Sequence, residues 1–155
     1  MRISELFVPI PLIESKDYGS AGIDSDGVNL GQLHSMCAIL TFGALTGNSI
    51  LKVYGGVTAA KTTAMAFSYR LSAADYKVAL ADQFGDAIAV ASTGLTLTAT
   101  TFDHRMIAIE IDSDQTLDGK PWVTIEIDST ATTLNVAAVG MGSPRYPGHL
   151  IPTVL

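Results

Sequence analysis

Apolar and polar residues alternate along most of the chain after Leu33, with the period of two that β-strands show. Glycine, asparagine and aspartate separate the alternating runs, which is the spacing of a sandwich or barrel. The pattern predicts strands at residues 28–30, 34–42, 50–54, 63–71, 95–100, 105–111, 122–127 and 133–141. About eight antiparallel strands in a chain of this length favour an all-β, jelly-roll-like sandwich over an immunoglobulin-like one.

The same alternation predicts which side chains face the core. In residues 63–71 the inward face holds Met65, Phe67 and Tyr69. The runs 105–111 and 122–127 are predicted to be hairpin neighbours. Their inward-facing side chains are Ile107, Ile109, Ile111, Val123, Ile125 and Ile127. Residues 34–42 are apolar on both faces, which suits a central strand covered on each side. A short helix is possible within residues 72–81, because Ser72 can cap its start.

Apolar segments broken by proline flank the sandwich. Residues 6–13 contain Pro9 and Pro11, which cannot lie inside a helix or a central strand. A second such segment ends the chain. The pattern therefore predicts an extended N-terminal arm at residues 1–15, a β-sandwich domain at 16–142 and an extended C-terminal arm at 143–155.

Composition narrows the class of partner. Only 15% of the 155 residues are charged, which leaves an unusually neutral surface of the kind that meets other proteins. A formal net charge of −6 offers no basic stripe for nucleic acid. With neither a run of ~20 apolar residues nor a signal-peptide layout, we expect a soluble chain without a membrane partner or export signal.

Groups that could perform chemistry are scattered. His34, His104 and His149 lack the spacing of a zinc site, and Cys37 lies in an apolar run that favours a buried, inert thiol. Neither a serine nucleophile elbow nor a phosphate-binding loop occurs. The sequence therefore predicts no enzymatic activity, no catalytic residue and no cofactor.

Acidic residues support two weaker alternatives. Asp112, Asp114 and Asp118 could offer oxygens to a cation, but Leu117 and Val123 stand where an EF-hand needs glycine and glutamate. Ordinary turn chemistry is the favoured explanation of these aspartates, so no metal is expected. Glu110 and Glu126 could act as a glycosidase pair, although outward polar positions on a half-solvated sheet also account for them.

The arms carry the main functional signal, because an exposed apolar segment needs a cover. Eight extended residues span ~25 Å, enough to cross their own domain or to reach a neighbouring subunit. Both alternatives stay open for the N-terminal arm, and the neighbour is favoured for the C-terminal one. The predicted partner-binding residues are Leu6, Phe7, Val8, Pro9, Ile10, Pro11, Leu12, Ile13, Arg145, Tyr146, Leu150, Ile151, Val154 and Leu155. Removing the arms is expected to weaken assembly and to leave the core folded.

Several stretches resemble a group of small head-associated, cement- or decoration-like proteins of tailed phages and prophages. They are ELFVPIPLIESKDY (5–18), SDGVNLGQLHS (25–35), ILTFGALTG (39–47), LKVY (51–54) and GSPRYPG (142–148). The resemblance covers most of the chain, and its motifs are turns and strand cores without a catalytic residue.

The resemblance implies a virion structural protein that is assembled in the host cytoplasm and lies on the head surface. Its partners would be the major capsid protein and copies of itself, as a trimer or dimer, and its role would be to stabilise the head lattice. The alternative is a receptor- or carbohydrate-binding β-sandwich of a phage fibre. A sugar site needs aromatic side chains around a polar pocket, whereas Trp122 stands alone and the tyrosines are dispersed.

Overall fold

The computed structural model describes residues 6–145. Their strands are β1 (Val8–Asp17), β2 (Ile23–Asp24), β3 (Val28–Asn29), β4 (Leu33–Thr46), β5 (Asn48–Gly56), β6 (Thr63–Met65), β7 (Phe67–Leu71), β8 (Ile88–Val90), β9 (Leu95–Thr98), β10 (Met106–Asp112), β11 (Trp122–Ser129) and β12 (Thr133–Pro144). Between them lie two 3-10 turns, Gly19–Ala21 and Leu30–Gln32, and the single-turn helix α1 (Ala99–Phe102).

The strands form two antiparallel sheets that pack face to face. Sheet A has the order β1-β12-β4-β10-β7-β8, and sheet B has the order β2-β11-β5-β6, with β3 paired to β11 and β9 to β5. If β2 and β3 are counted as one interrupted strand, the eight strands of a jelly roll can be traced. In chain order these eight are β1, β2 with β3, β4, β5, β6, β10, β11 and β12. The first, eighth, third and sixth lie side by side in sheet A, and the second, seventh, fourth and fifth lie side by side in sheet B. The predicted all-β sandwich is confirmed, and β7, β8 and β9 are additions between the fifth and sixth jelly-roll strands.

The core lies between the sheets and uses the side chains that alternation predicts. Ile107, Ile109 and Ile111 of β10 and Val123, Ile125 and Ile127 of β11 are all at most 1% exposed. Burying each such side chain contributes roughly 1.5–3 kcal/mol before the entropy of ordering it is counted. The inward position of Met65, Phe67 and Tyr69 is also confirmed.

Three local predictions are wrong. The run 63–71 is two strands, because the chain crosses from sheet B to sheet A between β6 and β7. β10 and β11 are not hairpin neighbours: they belong to different sheets, and their inward side chains meet across the core. Residues 72–81 form turns rather than a helix, since Asp75 accepts a hydrogen bond from the Lys77 amide and Leu80 has a φ of 74°.

The N-terminal segment is part of the sandwich. β1 pairs with β12 over most of its length, and Ile10, Leu12 and Ile13 belong to the core. A proline is tolerated where its missing N–H would face away from the sheet, so an edge strand accepts Pro9 and Pro11. The predicted boundary at residue 16 therefore does not separate an arm from the domain. At the other end, β12 runs two residues past the predicted boundary at residue 142.

Candidate docking surface

The outer surface of sheet A is apolar where a half-solvated sheet normally carries polar side chains. Strand register places Pro11, Val139, Ile39 and Ala108 in one row across β1, β12, β4 and β10. Val139 is 44% exposed at the centre of this row. Pro11 is exposed and Ile39 is partly exposed, whereas Ala108 is only 8% exposed, so the apolar stripe reaches the surface chiefly on β1, β12 and β4.

A second row lies beside the first and has the same character over three strands. Pro9 of β1, Met141 of β12 and Cys37 of β4 are directly opposite one another, and Glu110 of β10 ends the row. Ala137 extends the stripe on β12. We call Pro9, Pro11, Cys37, Ile39, Ala108, Ala137, Val139 and Met141 the outer face of sheet A.

Charge enters only at the border of this surface. Glu110 of β10 and Arg70 of β7 face each other, with 3.6 Å between Oε2 and Nε. Both side chains are well exposed, so solvent screens the pair and it contributes little to stability. The pair balances its own charge, and Asp112 of β10 adds one negative charge at the same border.

Sheet B carries a cluster of charged side chains on its outer surface. Glu126 of β11 lies between Asp24 of β2 and Lys52 of β5. The Lys61 ammonium donates to Asp24 at 2.8 Å and to Glu126, and this ties the loop after β5 to the sheet. Charged side chains therefore cluster on this part of sheet B, where Ile50 of β5 is also 37% exposed.

The ionic cluster shifts the pKa values of Glu126 and Lys61. Burial alone would raise the pKa of Glu126, but hydrogen bonds from Lys61 and Tyr54 outweigh it and hold that pKa below its usual range. Burial similarly opposes the charge of Lys61, and its hydrogen bonds to Asp24 and Glu126 raise its pKa overall. Both shifts favour the charged forms of Glu126 and Lys61 at neutral pH, and the cluster acts as a structural clamp.

Cys37 is the one cysteine of the chain and lies half-buried on the outer face of sheet A. Burial, and to a smaller extent the neighbouring charge of Glu110, raise the pKa of its thiol. A raised pKa keeps the sulfur protonated at neutral pH, and the thiolate is the nucleophilic form. The side chain therefore serves the surface as a small apolar group.

Two shallow hollows lie toward the ends of the outer face of sheet A. One, of about 430 Å³, is bordered by Phe7, Cys37 and Met141. The other, of about 410 Å³, is bordered by Ala137, Tyr76 and His104. In that hollow the Tyr76 hydroxyl and Nδ1 of His104 are 3.0 Å apart. Hollows of this size can receive side chains of a partner protein.

The predicted partner-binding residues of the N-terminal segment divide into two groups. Ile10, Leu12 and Ile13 are buried in the chain's own core, and Val8 is partly buried against it. Leu6, Phe7, Pro9 and Pro11 remain exposed. The buried side chains of the segment thus pack against the core of its own domain. Its exposed prolines are part of the outer face of sheet A.

Little of the C-terminal prediction falls within the described residues. Arg145 is exposed, and its guanidinium donates to the Leu33 carbonyl at 3.0 Å and to the Ser113 hydroxyl at 3.1 Å. Tyr146, Leu150, Ile151, Val154 and Leu155 lie outside the described residues, as does His149.

The weaker chemical alternatives do not converge on a site. Glu110 points outward from sheet A and Glu126 outward from sheet B, so the whole core separates the two carboxylates. Within residues 6–145, Asp112, Asp114 and Asp118 do not form a group that could hold a metal ion, and no other group of three such ligands does.

The comparisons give no relative. No family model, curated protein or solved structure matches the chain. Among the helices of residues 6–145, none is long and apolar enough to cross a membrane.

Sequence reasoning did not predict that the apolar outer face of sheet A is exposed. The apolar character of both faces of β4 was visible, but it predicts a strand covered on each side. In the structure, Val139 is 44% exposed, and Cys37 and Ile39 are partly exposed. The signal that could have identified the surface is the combination of this two-sided strand with the apolar outward positions of β12.

Proposed function

We propose that this chain is a structural protein of a tailed-phage virion, a cement or decoration protein that binds the capsid through the outer face of sheet A. The observation that carries the proposal is the contrast between the two sheets. The outer face of sheet A has charge only at its border, whereas a charged cluster around Glu126 lies across the strands of sheet B. Exposed apolar surfaces of this kind typically mark sites of protein association.

The resemblance supplies the identity of the partner, the major capsid protein, and the geometry supports the mode of contact. Pro9 and Pro11 leave the free edge of β1 without two backbone donors, so this edge is a poor template for another strand. The outer face of sheet A is better suited to contact a partner. The role is structural rather than catalytic, and it requires no cofactor.

The size of the surface limits how tightly one copy can bind. Four strands about 4.8 Å apart and about 20 Å long give roughly 400 Å², half of the ~800 Å² that each partner buries in a standard interface. A single contact of that size is weak. Many copies bound to the same shell can still stabilise it, because their weak contacts with the capsid act together.

The test is co-sedimentation of the purified chain with undecorated capsids assembled from the major capsid protein encoded in the same genome. We expect saturable binding, and we expect Val139→Lys to reduce the bound fraction at least about tenfold, because it places a charge at the centre of the contact. Thr96→Lys, on the exposed outer surface of sheet B, is the matched control and should bind normally. Failure of the wild-type chain to sediment with capsids, or equal binding by both variants, would contradict the proposal.

A further inference from the structure

One hollow of the outer face of sheet A combines an apolar side with an acidic side. Phe7, Met141 of β12 and Cys37 of β4 line its apolar side, and Phe7 is 38% exposed. Glu110 and Asp112 of β10 line the acidic side, and both are exposed. The volume of about 430 Å³ is enough for a long side chain of a partner protein. We call this feature the Asp112 hollow.

The two carboxylates of the hollow leave the same face of β10. Glu110 lies opposite Cys37, and Asp112 lies opposite Ser35, two positions further along the strand pair. Residues two apart on a strand share a face and are about 7 Å from each other. β4 separates β10 from β12, so about 10 Å lies between the strand that carries the carboxylates and the strand that carries Met141. A side chain laid across the hollow therefore meets apolar groups along its length and carboxylates at its end.

The acidic side of the hollow has an excess of negative charge. Glu110 faces Arg70, with 3.6 Å between Oε2 and Nε. In the part of the chain that the structure describes, no ion pair of 4 Å or less includes Asp112. Arg145 reaches the neighbouring Ser113, where its guanidinium donates to the hydroxyl oxygen at 3.1 Å. The Asp112 carboxylate is therefore the charge that a partner can neutralise.

An apolar wall beside a carboxylate favours one kind of occupant, a cation on an apolar stem. Lysine and arginine both have this form. The guanidinium of arginine is planar, is more weakly hydrated than an ammonium and can donate to two carboxylates at once, here those of Glu110 and Asp112. An acidic or purely apolar side chain would instead cover Asp112 without giving it a partner, which costs free energy. Arginine is also one of the residues that contribute most at protein interfaces.

We propose that the Asp112 hollow binds an arginine side chain of the partner that docks on the outer face of sheet A. The methylene groups of this arginine pack on Met141 and Cys37, and its guanidinium bridges Glu110 and Asp112. The formal net charge of −6 attracts a positively charged partner surface. That the partner is the capsid rests on the proposed function, whereas the preference of the hollow for arginine does not.

The first test titrates the free chain with an acetylated and amidated Gly-Arg-Gly peptide and follows the methionine methyl groups by nuclear magnetic resonance. We expect a saturable shift of the Met141 methyl at millimolar peptide, and no shift at Met65 or Met106, which lie outside the hollow. Asp112→Asn should weaken binding at least about threefold. Asp128→Asn, which removes the same charge from the exposed outer surface of sheet B, should not. A Met141 methyl that does not shift, or an equal affinity of the Asp112→Asn variant, overturns the inference.

A Gly-Lys-Gly peptide with the same end groups tests the choice of arginine. It should bind several-fold more weakly, because an ammonium is a strongly hydrated point charge and lacks the planar fork that bridges two carboxylates. Equal binding of the two peptides would overturn the assignment to arginine.

The second test measures binding of the same proteins to undecorated capsids. Asp112→Asn should raise the dissociation constant at least about tenfold, whereas Asp128→Asn should bind as wild type does. Both variants replace an exposed carboxylate by an amide of the same shape, so the fold is kept. If the two variants bind capsids equally well, the inference is wrong while the proposed function stands. If no protein binds capsids but the arginine peptide binds in the hollow, the proposed function fails and the arginine site is retained.

Discussion

Ile10 of β1 lies directly opposite Gly140 of β12, and the absence of a side chain at Gly140 makes room for the core at this edge. A Cβ at Gly140 would stand 3.3 Å from Cδ1 of Leu12, 3.3 Å from the sulfur of Met36 and 3.4 Å from Cβ of Ile10. Contacts this short require the neighbours to move. β1 is therefore fitted into the sandwich, and its inward side chains belong to the core.

Truncating Ile10 should be costly. The side chain is 1% exposed, and Ile10→Ala should lower the free energy of unfolding by about 2–5 kcal/mol through lost burial and the cavity left behind. Urea denaturation followed by circular dichroism measures the change. Ser15→Ala, on an exposed position of the same strand, should stay within about 0.5 kcal/mol of wild type. A cost below ~1 kcal/mol for Ile10→Ala would show that β1 is not part of the core.

Deletion of residues 1–15 should destabilise the isolated subunit, in contrast to the expectation from the sequence. It removes three buried core side chains, Ile10, Leu12 and Ile13, and uncovers the edge of β12. We expect a melting temperature many degrees lower and a tendency to aggregate through the exposed edge. Thermal scans of the truncated and complete chains decide the point, and equal melting temperatures would restore the picture of a separate arm.

The sequence predicts strands and faces well because alternation is a local property. The inward isoleucines of β10 and β11 follow directly from it, whereas the pairing of these strands does not, since either sheet could accept the same pattern. Pro9 and Pro11 exclude a central strand but are compatible with an edge, and the prediction of a free arm did not use that distinction.

The candidate docking surface was harder to predict than the fold. Ile39 and Val139 are far apart in the chain and become neighbours only through the register of β4 and β12. Their exposure depends on what covers the sheet, which alternation does not encode. Tyr76 was part of an uncertain helix, so its place beside a hollow of this surface could not be foreseen.

Phe67 provides a test of the core at the end of sheet A opposite β1. It is 7% exposed at the start of β7, just after the chain crosses between the sheets. Phe67→Ala should lower the free energy of unfolding by about 3–5 kcal/mol. Ser68→Ala, the next residue and outward-facing, is the matched control. Similar urea midpoints for both variants would mean that the face of β7 is assigned wrongly.

The clamp formed by Lys61 should produce a pH-dependent contribution to stability. The pKa of Glu126 is lowered on folding, so the clamp stabilises the fold above the unfolded pKa of about 4.3 and loses this effect as the pH falls through the folded value. Lys61→Met should cost only about 0.5–1 kcal/mol at neutral pH, because solvent screens a lysine whose side chain is 34% exposed.

Urea unfolding at neutral and at strongly acidic pH measures this effect. The difference between wild type and Lys61→Met should shrink to nothing in acid. Lys77→Met, which removes an exposed lysine outside the clamp, should differ from wild type by a similar amount at both pH values. A Lys61→Met difference that is constant with pH would show that the ionic clamp does not stabilise the fold.

The most direct test of the central claim uses Cys37 as a natural probe of the outer face of sheet A. A thiol reagent should alkylate Cys37 slowly in the free chain, because the side chain is half-buried and its pKa is raised. Mass spectrometry of the peptide that contains Cys37 gives its rate of alkylation in the free chain and in the chain bound to capsids. If the outer face of sheet A is the docking surface, binding should slow this rate at least about tenfold. An equal rate in both states would contradict the claim and place the contact elsewhere on the molecule.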